Sequence, residues 1–252
     1  MIISHKHKFI FVHLGRTGGR SLTMELAKHC GPDDVITPTG DYAGQNVGSW
    51  RRHSKATQIR KRLGRDIWDK YFTFTFERNP WDKVLSNYWS RRGYEHGKGG
   101  ATESITWVDR AWRKTSGYPW TFETWLKYRW YFSSGMGLRN IRFPSDIAKY
   151  TDNDGQTIVN YIGRYEHYPS HLQYLSERLG IEIKLQSKEG RSTRKDRRQP
   201  EEVYSSSSAE LIAKVFAKEP QLLDYQFGVP APSSVLIDGK PQPLRDACKV
   251  AS

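Results

Sequence analysis

Apolar and polar positions alternate most cleanly over residues 71–78, where Phe72, Phe74 and Phe76 are separated by Thr73 and Thr75. A period of two is the signature of a strand. Asn79-Pro80 then turns the chain. Pro80 can open a helix, because its missing N–H is not needed at that position, and this helix is expected to run to about Arg92. Nearer the start, Phe9-Ile10-Phe11-Val12 makes residues 8–13 a short buried strand, followed by Gly15, Gly18 and Gly19. Residues 21–29 carry Leu22, Leu26 and Ala27 at helical spacing. A basic helix is expected over 53–63, with Ala56, Ile59 and Leu63 on one face. A further strand is expected over 158–165, and a helix over 169–179 with Leu172, Leu175 and Leu179 on one stripe. Ser207 with Glu210 suggests a capping box before a helix over 211–217.

Between these elements, residues 32–48, 93–104 and 187–198 have loop composition, the last strongly basic. Beyond Gly228 the Pro- and Ser-rich stretch suggests a weakly ordered tail, 229–252, after a single domain over 1–228. Residues 107–132 hold ten aromatics, from Trp107 through Trp125 to Phe132. Such a stretch is more often core than site, but ten is more than a small core easily hides, so some of the set could offer a platform for a sugar ring or another apolar face.

Charge narrows the partners. Forty Lys+Arg against 27 Asp+Glu leave a formal net charge of +13, which favours a phosphorylated nucleotide, an acidic glycan, a nucleic acid or an anionic membrane. The two cysteines, Cys30 and Cys248, form no metal or disulfide pattern. The apolar run at 9–12 is too short for a signal-peptide core or a membrane span, so a soluble, cytoplasmic protein is expected.

The first chemical motif is the passage from the strand at 8–13 through Gly15-Arg16-Thr17-Gly18-Gly19-Arg20-Ser21 into a helix. A strand, a glycine turn and a helix start direct backbone N–H groups and the positive helix end at one spot, which suits an anion. Arg16, Thr17, Arg20 and Ser21 add side-chain donors. The spacing is not that of a Walker A loop, because the second glycine comes early and Arg20 stands before Ser21. The plain alternative is a tight turn with solvated arginines. The second motif runs from Arg78, at the carboxyl end of the alternating strand, to Ser86 about two helical turns later. A guanidinium and a hydroxyl can share one phosphate. Alone, the pair reads better as a strand cap and a small packing residue than as a phosphate site.

Together the two segments resemble the PAPS-dependent sulfotransferase superfamily, in particular its carbohydrate sulfotransferase branch; PAPS is 3'-phosphoadenosine 5'-phosphosulfate. In that branch a strand ending Phe-Val-His leads into Pro-Lys-Thr-Gly-Gly-Thr-Ser, the 5'-phosphosulfate loop. A later strand leads into Arg-Asn-Pro with a Ser eight residues after the Arg, the 3'-phosphate site. Here the first is His13-Leu-Gly-Arg-Thr-Gly-Gly-Arg-Ser21 and the second Arg78-Asn-Pro-Trp-Asp-Lys-Val-Leu-Ser86, with further echoes at Ile162-Gly-Arg-Tyr-Glu166 and in 204–227.

The resemblance implies a three-layer α/β fold with a central, mainly parallel sheet, like that of P-loop kinases. It also implies PAPS as donor and PAP as product, with no metal required. The donor would be held by Arg16, Thr17, Gly18, Gly19, Arg20, Ser21, Leu22, Arg78, Ser86 and Arg164. The acceptor would be a hydroxyl of a carbohydrate or glycoconjugate, with no nucleic acid as partner. Gly15, Arg16 and Arg20 depart from the branch's Pro, Lys and Thr. Arginine keeps the charge but is longer and planar, so the exchange bears on the rate or on the loop geometry.

Transfer needs a base for the acceptor proton. His53 lies between the donor segments and matches a His-x-x-Ala stretch of the branch, so His53 and Arg16 are the expected catalytic residues. Arg51, Arg52 and Lys55 beside His53 are expected to lower its pKa; the plain alternative is a helix-capping surface histidine. His13 is expected to be structural and His96 to stand in reserve. Arg191, Arg194, Lys195, Arg197 and Arg198 are expected to close over the donor or contact an acidic glycan, or else to form a solvated loop. A nucleotide kinase and a non-catalytic polyanion or nucleic-acid binder remain as rival functions.

Overall fold

The computed structural model describes residues 1–40, 42–95, 121–135, 145–184 and 198–243. Its strands are β1 (Ile2–Ser4), β2 (Phe9–Phe11), β3 (Val35–Ile36), β4 (Phe72–Glu77), β5 (Tyr161–Arg164), β6 (Ser234–Ile237) and β7 (Lys240–Pro243). Its α-helices are α1 (Gly19–Ala27), α2 (Ala56–Leu63), α3 (Arg65–Trp68), α4 (Pro80–Glu95), α5 (Phe122–Gly135), α6 (Tyr168–Leu179), α7 (Ser206–Val215) and α8 (Lys218–Leu223). The chain divides into two compact units. One comprises Met1–Asn79, Asp146–Arg191 and Ala231–Ser252; the other comprises Pro80–Ser145 and Ser192–Pro230.

The first unit holds the whole sheet, in the order β3-β1-β2-β4-β5-β6-β7. Among the described residues only β2–β4 and β4–β5 pair in parallel; the other four pairings are antiparallel. The expected mainly parallel sheet is therefore corrected to a mostly antiparallel one with a parallel centre. The difference comes from strands that carry too little periodicity to be seen. β1 and β3 span three and two residues. β6 and β7 fall in the stretch expected to be a tail, which forms a hairpin over 234–243 instead. Its turn is Asp238-Gly239, with φ of 47° and 74°, the left-handed pair that a tight hairpin requires. Pro241 and Pro243 lie in β7, the last strand of the sheet.

Leu22 and Leu26 of α1 and Leu172 and Leu175 of α6 join Phe9, Phe11, Phe74, Phe76 and Tyr161 in one buried cluster. Burying each such side chain contributes roughly 1.5–3 kcal/mol. The intervening threonines of β4 are buried as well, at 1% and 0% exposure. Thr75 Oγ1 donates to the Val12 carbonyl at 2.7 Å, and Asn160 Oδ1 accepts from both the N–H and the hydroxyl of Thr73. Threonine suits these places because its hydroxyl satisfies neighbouring polar groups while its β-branched body fits the strand.

In the second unit, Trp81 Nε1 donates to the Ala209 carbonyl at 2.9 Å and Tyr204 Oη donates to the Trp81 carbonyl at 2.8 Å. Phe122, Trp125 and Tyr128 are buried, so these three members of the aromatic stretch are core. Trp107, Trp112, Tyr118 and Trp120 lie outside the described residues, as do His96, Arg191, Arg194, Lys195 and Arg197. α7 starts earlier than expected. Its N-cap is Ser205, whose Oγ accepts the Ser208 N–H, rather than Ser207. Among the described residues no helix is long and apolar enough to cross a membrane.

Candidate active site

The three parallel strands end on the same side of the sheet, where ligands gather in parallel α/β arrangements. β2 delivers the turn 12–18, β4 delivers Arg78, and β5 delivers the turn Tyr165–His167 into α6. α1 then opens at Gly19 with Gly18 as a left-handed N-cap, φ 74° and ψ 3°, and no side-chain cap. The helix start and its dipole face this turn.

Each glycine has a steric reason. A Cβ on Gly18 would sit 3.2 Å from both the Tyr165 and Tyr168 rings, and one on Gly19 would overlap the His13 ring. Arg16 has φ 65°, a left-handed conformation that costs a side-chain-bearing residue roughly 1–2 kcal/mol. Its carbonyl accepts from Arg78 Nη1 at 3.0 Å. The Arg78 guanidinium lies 4.2 Å over the Tyr165 ring, a cation–π contact that fixes its plane. Glu166 Oε1 accepts the Asn79 N–H at 2.7 Å, and Tyr168 Oη donates to the Gly18 carbonyl at 3.3 Å. The turn after β5 thus holds both motifs, and Glu166 is a positioning group there.

The remaining expected donor residues divide by role. Arg16 and Arg20 are exposed. The Arg20 guanidinium lies against Gly40, where a Cβ would overlap it, and so it points to the loop after β3. Thr17 is buried and its hydroxyl donates to the Leu14 carbonyl at 3.3 Å, closing the turn. Leu22 is in the core, and Ser21 is half-buried at the start of α1. Ser86 lies half-buried on α4, in the second unit. Arg164 is 2% exposed; its Nε donates to the Ser234 carbonyl at 2.6 Å and its Nη2 to the Ser234 hydroxyl at 3.2 Å. Its side chain fastens β5 to β6. Its N–H donates to His171 Nε2 at 3.0 Å, so the His171 proton must be on Nδ1, which donates to Tyr161 Oη at 2.6 Å.

His13 and His53 meet edge to face, with ring centroids 5.0 Å apart. The contact between His53 Nδ1 and the His13 carbonyl is 2.8 Å. A carbonyl can only accept, so Nδ1 carries the proton and Nε2 of the neutral ring is left with a lone pair. This is the tautomer a base needs. The His53 pKa is lowered chiefly by partial desolvation; the His13 carbonyl and Asp146 oppose this, and Lys149 adds to it. The expected source of the shift, Arg51 with Arg52 and Lys55, is replaced by desolvation and by a lysine distant in sequence. His13 is buried, which pushes its pKa well down, so it is a neutral packing group as expected.

Asp146 and Lys149 send no signal from the sequence, because they sit in a stretch without periodicity or motif. Asp146 Oδ2 accepts the Gly15 N–H at 3.2 Å, and Asp146 Oδ1 pairs with Lys149 Nζ at 2.5 Å. Tyr165 did have a signal, since it follows Arg164 directly within the echo Ile162-Gly-Arg-Tyr-Glu166.

The profile of the sulfotransferase family matches residues 1–226. The chain belongs to the sulfotransferase family. As a sulfotransferase it is a transferase that acts on an acceptor substrate. It is 26% identical over 132 residues to an uncharacterized protein of Archaeoglobus fulgidus, an alignment covering 52% of this chain and 85% of that protein. No solved structure matches this sulfotransferase. Among its described residues no group of three or more His, Cys, Asp or Glu is placed to hold a metal ion.

Proposed function

We propose that this sulfotransferase takes its sulfonyl group from PAPS and places it on a hydroxyl of a carbohydrate or glycoconjugate, through a domain that takes in the β6–β7 hairpin beyond residue 228 and has the three-layer, P-loop-kinase-like arrangement of its family. The observation that carries this reading is the Arg78–Arg16 hydrogen bond, which brings the two phosphate motifs to one place. The residues present fit the donor. Gly18 and Gly19 let the Tyr165, Tyr168 and His13 rings close on the turn, α1 points its N-terminus at it, and Arg78 bonds the Arg16 carbonyl.

Bound PAPS would supply the sulfonyl group and depart as PAP. The loop amides and Arg16 would hold the 5' side and offset charge gathering on the bridging oxygen. Arg78 would hold the 3'-phosphate. Thr17, Gly18, Gly19 and Leu22 would shape the turn, and Ser21 would add a hydroxyl. Arg20 and Arg164 are assigned outside the donor set because their guanidinium groups face Gly40 and Ser234. His53 Nε2 would take the acceptor proton as the acceptor oxygen–sulfur bond forms and the bond from sulfur to the phosphate oxygen breaks. Exposed Arg51, Lys55, Lys61 and Arg62 flank His53 in sequence and suit an acidic glycan.

Calorimetry with PAP and AMP, together with a mass-spectrometric acceptor screen using PAPS, tests the proposal. PAP should bind far more tightly than AMP, and a hydroxylated acceptor should gain a sulfonyl group. Equal affinities, or magnesium-dependent turnover of ATP, would overturn it.

A further inference from the structure

The loop after β3 belongs to neither donor motif, yet it touches both the start of α1 and the segment that carries His53. Thr39 and Tyr42 exchange both backbone hydrogen bonds, at 2.9 and 3.1 Å, and Gly40 between them has φ 57°. The Thr37 N–H donates to the Met1 carbonyl at 3.1 Å, which fastens the loop to the residue before β1. Two arginines reach this loop from different parts of the chain. A Cβ on Gly40 would overlap Cζ, Nη2 and Nε of Arg20 together, so the guanidinium face lies on the glycine backbone. Arg52 Nε donates to the Pro38 carbonyl at 2.7 Å. His53, the next residue, is exposed, and Nδ1 of its ring donates to the His13 carbonyl at 2.8 Å. The contacts close a circuit. It runs from His13 through the donor turn to Arg20, across residues 38–40 to Arg52, and back through His53 to His13.

We propose that Arg20 and Arg52 are positioning residues, which through residues 38–40 form a strut that sets the His53 ring at a fixed distance from the donor turn. The strut rests on the reading of that turn as the donor site and of His53 as the base. An exposed ring takes its place from the segment that carries it, and Arg52 holds that segment to the loop. Arg20 holds the same loop to the start of α1. The strut also accounts for one departure from the resembled branch, which has Thr where this chain has Arg20. A threonine is too short to reach across to Gly40, whereas a planar guanidinium can lie against a backbone that carries no Cβ. Transfer in line tolerates little misplacement, and an error of about 1 Å can cost roughly 10²-fold in rate. The strut therefore acts on kcat and leaves the affinity for the donor nucleotide alone.

The test compares the wild type with Arg20→Ala, Arg52→Ala, Arg52→Lys and the double alanine variant. PAP affinity is read by calorimetry, and kcat with PAPS and the acceptor that the mass-spectrometric screen returns. The NMR signal of the His53 Nδ1–H is followed in each variant, and thermal melts check the fold. Arg20→Ala and Arg52→Ala should each lower kcat by roughly 10- to 100-fold while PAP affinity changes by less than about twofold. Both should broaden the Nδ1–H signal, because a ring set loose from the His13 carbonyl exchanges its proton faster. The double variant should be no slower than the worse single, since a strut breaks once. Arg52→Lys, which keeps a donor for the Pro38 carbonyl, should recover most of the rate. A large loss of PAP affinity in Arg20→Ala would put that guanidinium on the donor and overturn the strut. Unchanged kcat with an unchanged Nδ1–H signal, or losses that multiply in the double variant, would overturn it as well. A wild type that neither binds PAP nor transfers a sulfonyl group overturns the donor reading, whereas the Nδ1–H signal needs no turnover and still decides the strut.

Discussion

Arg78 donates to the Arg16 carbonyl at 3.0 Å while its guanidinium rests 4.2 Å over Tyr165, so one side chain bridges two loops 62 positions apart. A ligand phosphate on Arg78 therefore bears on the conformation of the turn at Arg16. Arg78→Ala is expected to weaken PAP binding by roughly 2–4 kcal/mol, the usual cost of deleting one partner of a desolvated, charge-assisted hydrogen bond. AMP binding should change little. Calorimetry on both nucleotides reads the difference, and an equal weakening for the two would remove Arg78 from the 3'-phosphate site.

Arg16 pays for its position with a left-handed backbone. Arg16→Gly should raise folding stability by about 1 kcal/mol, because glycine adopts φ 65° without steric cost. The same variant should lower kcat more than PAP affinity if the side chain acts on charge that develops during transfer. Urea melts and steady-state kinetics give the two readings. A stabilised protein with full kcat would show that only the backbone of Arg16 matters.

Gly19→Ala places a methyl group into the His13 ring. Overpacking of this kind costs roughly 1–3 kcal/mol and should displace the turn rather than unfold the sheet. PAP binding should fall sharply in calorimetry while the circular dichroism spectrum holds. Unchanged PAP affinity would mean that the turn tolerates a shift of His13.

His53→Ala should reduce kcat by ~10²–10⁴ and leave PAP affinity nearly intact. The sign of the pH dependence follows from the lowered pKa of His53. The ring must be neutral to act, so activity should fall as the pH drops through a value below 6.5, and the alanine variant should lack that acidic limb. Near wild-type kcat in the variant would exclude His53 as base.

His171 carries a prediction about stability. Burial lowers its pKa to about 3 from 6.5, the folded protein holding it neutral between Tyr161 and the Arg164 amide. The unfolded chain takes up the proton first. The contribution of His171 is thus complete above pH 6.5 and is lost as pH falls from 6.5 toward 3, at about 1.4 kcal/mol per pH unit. Urea melts at pH 7, 6 and 5 should show a flatter dependence for His171→Gln than for the wild type. Parallel dependences would assign the acid sensitivity elsewhere.

The elements visible in the sequence were those that announce themselves locally. Phe72 to Phe76 alternate cleanly, Pro80 starts its helix, and the Gly18-Gly19 turn follows a run of four apolar residues. The sheet around them was harder to see. Two- and three-residue strands such as Val35–Ile36 leave no period to detect, and their existence depends on partners far along the chain. The β6–β7 hairpin had a signal, Asp238-Gly239, that the surrounding prolines and serines obscured. At the candidate site the motif residues were legible as a set, but their individual roles were not. Only the folded chain shows the Arg164 guanidinium on Ser234, Arg20 against Gly40, and Asp146 reaching the Gly15 amide across 131 positions.

The prolines of β7 have a consequence for how this protein behaves in a crowd. In the register with β6, Pro241 opposes Leu236 and Pro243 opposes Ser234, two places of the same parity. Neither residue has an N–H, so the strand cannot offer those donors to an incoming chain. At the opposite margin, β3 is only two residues long, and Ile36 is already bridged to Gln45. Sheets aggregate by adding foreign strands to open margins, and short or proline-bearing margins resist it. Replacing Pro241 and Pro243 by Val and Thr should leave the monomer folded yet promote concentration-dependent association.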